Sequence, residues 1–261
     1  MTNFSENLIE KLAAAGRVAV LTGAGISAES GVPTFRDPDG LWQKFKPEEL
    51  ANVNAFLRNP VLVQSWYAHR RMVVQDVQPN PGHIALAELE TLLSDRGGSF
   101  LLATQNVDGL HKRAGSKNLI ELHGTLTRSY CIDCTREATA EELNASEAGK
   151  PAGCPDCGGL LRPDVVWFGE MLPDGAMERA AEAASTCDVF LSVGTSAVVY
   201  PAAGLPLIAK ECGAYVAEIN PQQSDIAFRL DEHVAGKSGE VLPLLVQAAR
   251  EYLATGKRIR E

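Results

Sequence analysis

The plainest chemistry in the chain is carried by two short cysteine pairs. Cys131 and Cys134 are followed, after nineteen intervening residues, by Cys154 and Cys157, the pattern C-x2-C-x19-C-x2-C. Each pair sits on a tight turn that presents two thiolates to one side, and two such turns complete a tetrahedral sulfur shell for one Zn2+ ion. Sulfur in all four positions leaves no place for a reactive water, so the ion is expected to be structural. Cys187 and Cys212 stand in apolar contexts and are expected in the core.

A second group is glycine-rich. Residues 23–28 fit G-x-G-x-x-A directly after the apolar run Val18-Ala19-Val20-Leu21. Such glycines let backbone approach a pyrophosphate, and they equally suit a tight turn after a strand. About 20 residues on, a dehydrogenase would end a strand with an acidic side chain for the ribose; here Gly40-Leu41-Trp42-Gln43 stands instead, which disfavours hydride transfer. The loop runs on to Arg36, a fork suited to a phosphate.

Three further places could do chemistry. Gln105, Asn106 and Asp108 cluster behind the apolar run 100–103, where open α/β sheets bind ligands, although an Asx-type turn explains the same residues. His123, before Gly124, has the form of a general base at a strand end and equally of a hydrogen-bonded histidine at a turn. Tyr67 and Arg70, at i and i+3 of a helical stretch, share a face. A guanidinium fork beside a phenol suits a carboxylate, while in an arbitrary helix a packing tyrosine and a solvated arginine are commoner.

The elements that must position these residues alternate. Nearly all-apolar runs at 18–21, 100–103, 119–122, 165–168, 189–193 and 215–219 read as strands covered on both faces, separated by helices over 7–15, 83–93, 174–185, 202–212 and 239–253. The expectation is α/β: a Rossmann-like, doubly wound parallel sheet with a smaller zinc-binding plus helical domain. Residues 1–40, 78–124 and 162–261 are assigned to the sheet domain, and residues 41–77 and 125–161 to the small one.

The 261-residue chain carries 45% hydrophobic and 22% charged residues, a soluble globular balance. Its net charge of −9 argues against a general polyanion binder. The cysteine-bearing stretch 125–161 holds Arg128, Arg136 and Lys150 against six acids, so no specific nucleic-acid partner is expected. No run approaches the length of a membrane span, and the polar start lacks the features of a signal peptide, so the expectation is no membrane and a cytoplasmic setting.

Taken in order, GAGISAESGVPTFRD (residues 23–37), TQNVDGLH (104–111), LHG (122–124), the cysteine pairs, VVWFGE (165–170), GTS (194–196) and INP (219–221) closely resemble the sirtuins over nearly the whole chain. That resemblance implies an NAD-dependent protein lysine deacylase acting on acylated-lysine proteins. It implies that Gly23, Ala24, Gly25, Ile26, Ser27, Phe35, Arg36 and Trp42 hold the NAD phosphates and cover the nicotinamide pocket. Gln105, Asn106 and Asp108 would contact the nicotinamide ribose and carboxamide. Gly194, Thr195, Ser196 and Asn220 would hold the adenosine half, with Ser238 against the adenine. His123 takes the catalytic position, accepting a proton from the ribose hydroxyls. Val166, Trp167, Phe168, Gly169 and Glu170 would pair with the substrate peptide as an added strand.

Within this resemblance Tyr67 and Arg70 occupy the Tyr-x-x-Arg position that marks class III members, which remove succinyl and malonyl groups. Ala28 is small enough to leave room for a longer acyl chain. His69 and Arg71 are left without a role. An ADP-ribosyltransferase would share the cofactor site and is the alternative, as is a deacetylase without acidic-acyl preference.

Overall fold

The computed structural model describes residues 4–33, 50–144 and 149–255. The chain opens with α1 (Glu6–Ala14), started by Ser5, whose hydroxyl accepts the Leu8 N–H at 3.1 Å. β1 (Arg17–Thr22) and the short α2 (Ala24–Ala28) follow. Next come α3 (Val53–Arg58) and α4 (Pro60–Asp76), divided at Asn59-Pro60: proline fixes the first turn of α4, and the Asn59 side chain accepts from Leu62 N at 3.1 Å. Asn80 and Pro81 start α5 (Pro81–Ser94) in the same way.

The remaining elements are β2 (Ser99–Thr104), α6 (Leu110–Arg113), β3 (Leu119–Glu121), β4 (Gly124–Cys131), α7 (Ala140–Asn144), β5 (Leu161–Val165), α8 (Ala176–Thr186), β6 (Val189–Val193), α9 (Leu205–Glu211), β7 (Tyr215–Asn220), β8 (Glu232–Ala235) and α10 (Ser238–Thr255). Six strands form one parallel sheet in the order β3-β2-β1-β6-β7-β8. β6 is buried along its whole length, as a strand covered on both faces must be. Leu8, Leu12, Leu86, Leu89, Leu242 and Leu245 of α1, α5 and α10 cover one face. Ala180, Ala184, Leu205 and Ala209 of α8 and α9 cover the other. The strand order reverses between β1 and β6, and the crevice outside their carboxyl ends is where such sheets take ligands.

Two expectations about strands need correction. Residues 165–168 are not a strand of the parallel sheet. The strand is β5, which pairs antiparallel with β4 in a separate two-stranded sheet. The run is apolar because Trp167 is buried against Phe56 and Tyr67. At the end of β5, Val165 packs with Phe56, Val63, Trp66 and Leu126. The edge strand β8 was not expected at all, because only Val234 of its four residues is buried and no apolar run announces it. Of the two cysteines expected in the core, Cys187 is buried but Cys212 is exposed at the end of α9. Among the described residues no helix is long and apolar enough to cross a membrane.

Candidate functional site

The crevice at the sheet's switch point is built from the loops after β1 and β6. Gly25 N–H donates to the Gly194 carbonyl at 2.8 Å and Gly23 N–H to Val193 at 3.0 Å. A Cβ on Gly25 would lie 2.7 Å from Gly194 O, so the glycines serve the packing of one loop on the other as well as any approach of a ligand. Ala24, Gly25, Gly194 and Ser196 are partly exposed at the mouth. Ile26 and Ser27 are buried beneath it, so the Ile26 side chain belongs to the core.

The loop after β2 reaches across to both neighbours. Gln105 Nε2 donates to Thr195 Oγ1 at 3.1 Å, and Asn220 Nδ2, at the end of β7, donates to the Thr195 carbonyl at 3.3 Å. Asn106 Nδ2 donates to Gly23 O and to Ser27 Oγ, both at 3.0 Å, and Ser27 O–H donates to Asp108 Oδ2 at 2.7 Å. Burial pushes the Asp108 carboxyl upward from its ordinary value, opposed by the Leu110 N–H and the Ser27 hydroxyl. Ser238 is buried, and its hydroxyl donates to Glu29 Oε1 at 2.9 Å; the Gly239 N–H donates to the same oxygen at 2.9 Å. Glu29 thus caps α10, a role that sequence reading missed. Phe35, Arg36 and Trp42 lie outside the described residues.

A buried polar tier lies under this loop cluster. Thr22 O–H donates to Thr104 Oγ1 at 2.7 Å, and His111 Nε2 lies 2.9 Å from Thr22 Oγ1. The His83 and His111 ring centres lie 4.7 Å apart with their planes tilted by 55°. Burial holds His83 down to about 4 and His111 well below its ordinary value, so both are neutral near pH 7. Thr22, Thr104 and His83 were not singled out in the sequence. The signal available was hydroxyls ending two otherwise apolar strands.

His123 stands at the junction of β3 and β4. Gly124 has φ +75°, and a Cβ there would collide with the Asp164 carbonyl, so the turn that aims the imidazole requires glycine. His123 Nδ1 is 3.1 Å from the Gln105 carbonyl. A carbonyl only accepts, so Nδ1 carries the proton and Nε2 is left as the basic atom. Burial lowers the His123 pKa, partly offset by the Gln105 carbonyl, which keeps the ring neutral and able to accept.

Beside it, Val166 N–H donates to the His123 carbonyl at 2.9 Å and Phe168 N–H to Ala51 at 2.9 Å. Trp167 N–H donates to Glu170 Oε2 at 2.8 Å, and Glu170 N–H to the Trp167 carbonyl at 2.9 Å. The N–H groups of these four residues are already engaged, so an incoming strand cannot take those donors. Glu170 is also paired with buried Arg162 at 2.5 Å, whose guanidinium lies 3.6 Å from the Trp167 ring centre. Trp167 and Glu170 are therefore internal supports. Phe168 is half exposed, and Gly169 takes φ +87° in the turn.

Tyr67 is fully buried on α4, and its phenol oxygen accepts from Trp167 Nε1 at 2.8 Å. Burial pushes the phenol up to about 12, so it keeps its proton and can donate it. The Arg70 guanidinium lies 4.9 Å from the Trp66 ring centre and 5.6 Å from that of Tyr67, close enough to Asp108 to feel its charge.

The four sulfurs of Cys131, Cys134, Cys154 and Cys157 lie within 4.8 Å of one another. The Cys131–Cys157 and Cys134–Cys154 separations are 3.4 and 3.7 Å. A tetrahedron with Zn–S bonds of about 2.3 Å has edges of about 3.8 Å, so the donor set and its size fit one structural zinc. The cluster ties the far end of the β4–β5 sheet to the two turns.

The sequence profile of the Sir2 family matches residues 23–201. A Pyrobaculum aerophilum protein named NAD-dependent protein deacylase 2 is 52% identical over 249 residues, spanning 95% of this chain and 97% of its own length. An NAD-dependent protein deacylase of Thermus thermophilus is 50% identical over 253 residues, spanning 96% and 97%. The solved structure of a Sir2 homolog–NAD complex superposes with a TM-score of 0.88 at 47% identity over 97% of this chain and 96% of that one. A Sir2–p53 peptide–NAD+ complex superposes with a TM-score of 0.79 at 31% identity over 96% and 98%.

Proposed function

The chain belongs to the Sir2 family, and on that premise we propose that it is an NAD-dependent protein-lysine deacylase whose preferred acyl groups are succinyl and malonyl, with acetyl removed more weakly. The relatives named NAD-dependent protein deacylase, at about half identity over nearly full length, support the activity. The crevice fits the dinucleotide: glycine backbones pack at the β1–β6 switch point, and Gln105, Thr195 and Asn220 bring amides and a hydroxyl to one rim. When bound, NAD supplies an electrophilic ribose carbon and nicotinamide as leaving group.

The protein's own residues bind, orient and move a proton. Asn106 and Asp108 are held in one orientation by Ser27, which pre-organises the polar wall that faces the nicotinamide half. His123 Nε2 accepts a proton from a ribose hydroxyl, and the Gln105 carbonyl on Nδ1 stabilises the ring as it becomes positive.

The acyl preference is carried by one observation: Tyr67 and Arg70 stand together on α4, and Tyr67 is bonded to Trp167, whose neighbour Val166 is bonded to His123. A carboxylate at the end of an acyl chain is suited by a guanidinium fork and a phenolic O–H. The test is kcat/KM on succinyl- and acetyl-lysine peptides for wild type and Arg70→Met. The acidic substrate should lose about 1.5 to 3 kcal/mol and the acetyl substrate little. Equal losses on both would make Arg70 a scaffold residue.

A further inference from the structure

Glu218 of β7 is 1% exposed, and no cation pairs with it among the described residues. A dry carboxylate is costly unless donors surround it. Three do. The Ser224 N–H donates to Oε1 at 2.9 Å, the Ser224 O–H to Oε2 at 2.8 Å, and Asn220 Nδ2 to Oε1 at 3.4 Å. A neutral acceptor could hold the Ser224 turn as well, so the charge points to a demand beyond that turn.

Asn220 stands at the carboxyl end of β7, beside the β1–β6 switch point. Its Nδ2 has two partners, the Glu218 carboxylate and the Thr195 carbonyl at 3.3 Å. Both groups only accept, so the nitrogen must face them, and Oδ1 is left as the open acceptor of a partly exposed side chain, with no donor bonded to it among the described residues. A dinucleotide with its pyrophosphate on the glycine loop after β1 extends one half to each side of the switch point. His123 lies on the β2–β3 side, where the reacting ribose must be, so the other ribose falls on the β6–β7 side, at Asn220.

We propose that Glu218 is the positioning residue for the adenosine ribose: it locks the Asn220 carboxamide with Oδ1 presented to a ribose hydroxyl, and thereby selects NAD over its 2′-phosphorylated form, NADP. A hydroxyl donates to Oδ1. A phosphate in its place brings negatively charged oxygens against an acceptor that is backed by a buried carboxylate, a repulsion that low dielectric strengthens. Dinucleotide-binding sheets take the ribose acid from about 20 residues beyond the glycine loop, where this chain has Gly40-Leu41-Trp42-Gln43. Here the charge comes from the other side of the switch point and acts through an amide. The inference rests on the NAD reading of the crevice and involves neither Tyr67 nor Arg70.

Calorimetric titration of the zinc-loaded full chain with NAD and with NADP tests this at fixed ionic strength. Wild type should bind NAD at least about a hundredfold more tightly than NADP. Glu218→Gln keeps the side chain's shape and removes its charge; it should weaken NAD binding and narrow the NAD-to-NADP ratio at least about tenfold. A variant that merely loosened the fold would weaken both dinucleotides alike and leave the ratio unmoved. Asn220→Ala removes the presented acceptor while Glu218 keeps its bonds to Ser224. It should narrow the ratio in the same direction, and it carries the test if Glu218→Gln does not fold. Equal affinity of wild type for the two dinucleotides, a ratio unchanged in Glu218→Gln, or, where that variant does not fold, a ratio unchanged in Asn220→Ala overturns the proposal. Wild type that bound neither dinucleotide would overturn the NAD reading itself, and this inference with it.

Discussion

The indole N–H of Trp167 donates to the phenol oxygen of Tyr67 across 2.8 Å, joining two residues 100 positions apart inside the core of the small domain. The bond fixes the helix that carries Arg70 against the segment that is itself bonded to His123. Tyr67→Phe leaves the Trp167 N–H buried and unpaired. It should cost about 1 to 3 kcal/mol in urea unfolding, and it should lower kcat/KM on succinyl-lysine more than on acetyl-lysine. A stable variant with an unchanged ratio between the two substrates would remove Tyr67 from acyl recognition.

His123→Ala should give a folded, zinc-bearing protein slower by about 10² to 10⁴, the contribution of one positioned base. Because burial lowers the His123 pKa, the acid limb of kcat/KM for the wild type should fall below about pH 6.5, the ordinary imidazole value. A limb above that value would show that another group titrates.

His83 and His111 make stability depend on pH. Both are neutral in the folded chain, and the unfolded chain takes up their protons first as pH falls. Their contribution is complete above about 6.5 and is lost as pH drops toward 4, with His83 alone amounting to roughly 3 kcal/mol. Thermal unfolding between pH 7 and 4 should show Tm falling through that window. His83→Asn should flatten the slope; a slope unchanged in that variant would assign it elsewhere.

Glu29 accepts from Ser238 and Gly239 at the first turn of α10. Glu29→Ala should destabilise the chain by about 1 to 2 kcal/mol, as the loss of a helix cap does, and weaken NAD binding through the displaced Ser238. NAD titration of the purified variant against wild type measures the second effect, and equal affinities would confine Glu29 to stability.

Metal analysis should find one zinc per chain, held by Cys131, Cys134, Cys154 and Cys157. Chelation should abolish deacylation while circular dichroism of the six-stranded sheet persists, because its core shares no residue with the cluster. Retained turnover in zinc-free protein would make the cluster dispensable.

The sequence by itself determined the features that act over short range. Cysteine spacing brought four sulfurs to one place, apolar runs marked five strands of the parallel sheet, and polar residues behind those runs marked Gln105, Asn106, Asp108 and His123. Covalent spacing and side-chain periodicity are local quantities, and they survive whatever the rest of the chain does. Tertiary structure decided which polar groups meet. Glu29 finds Ser238 across 209 positions, the Val166 and Phe168 N–H groups are taken by His123 and Ala51, and the Gln64 amide comes to donate to the Ala152 and Leu161 carbonyls. The edge strand β8 and the support role of Trp167 belong to the same class. A buried donor must find an acceptor, and which acceptor lies within 3 Å is set by how whole helices and sheets pack, a property no short stretch of sequence contains.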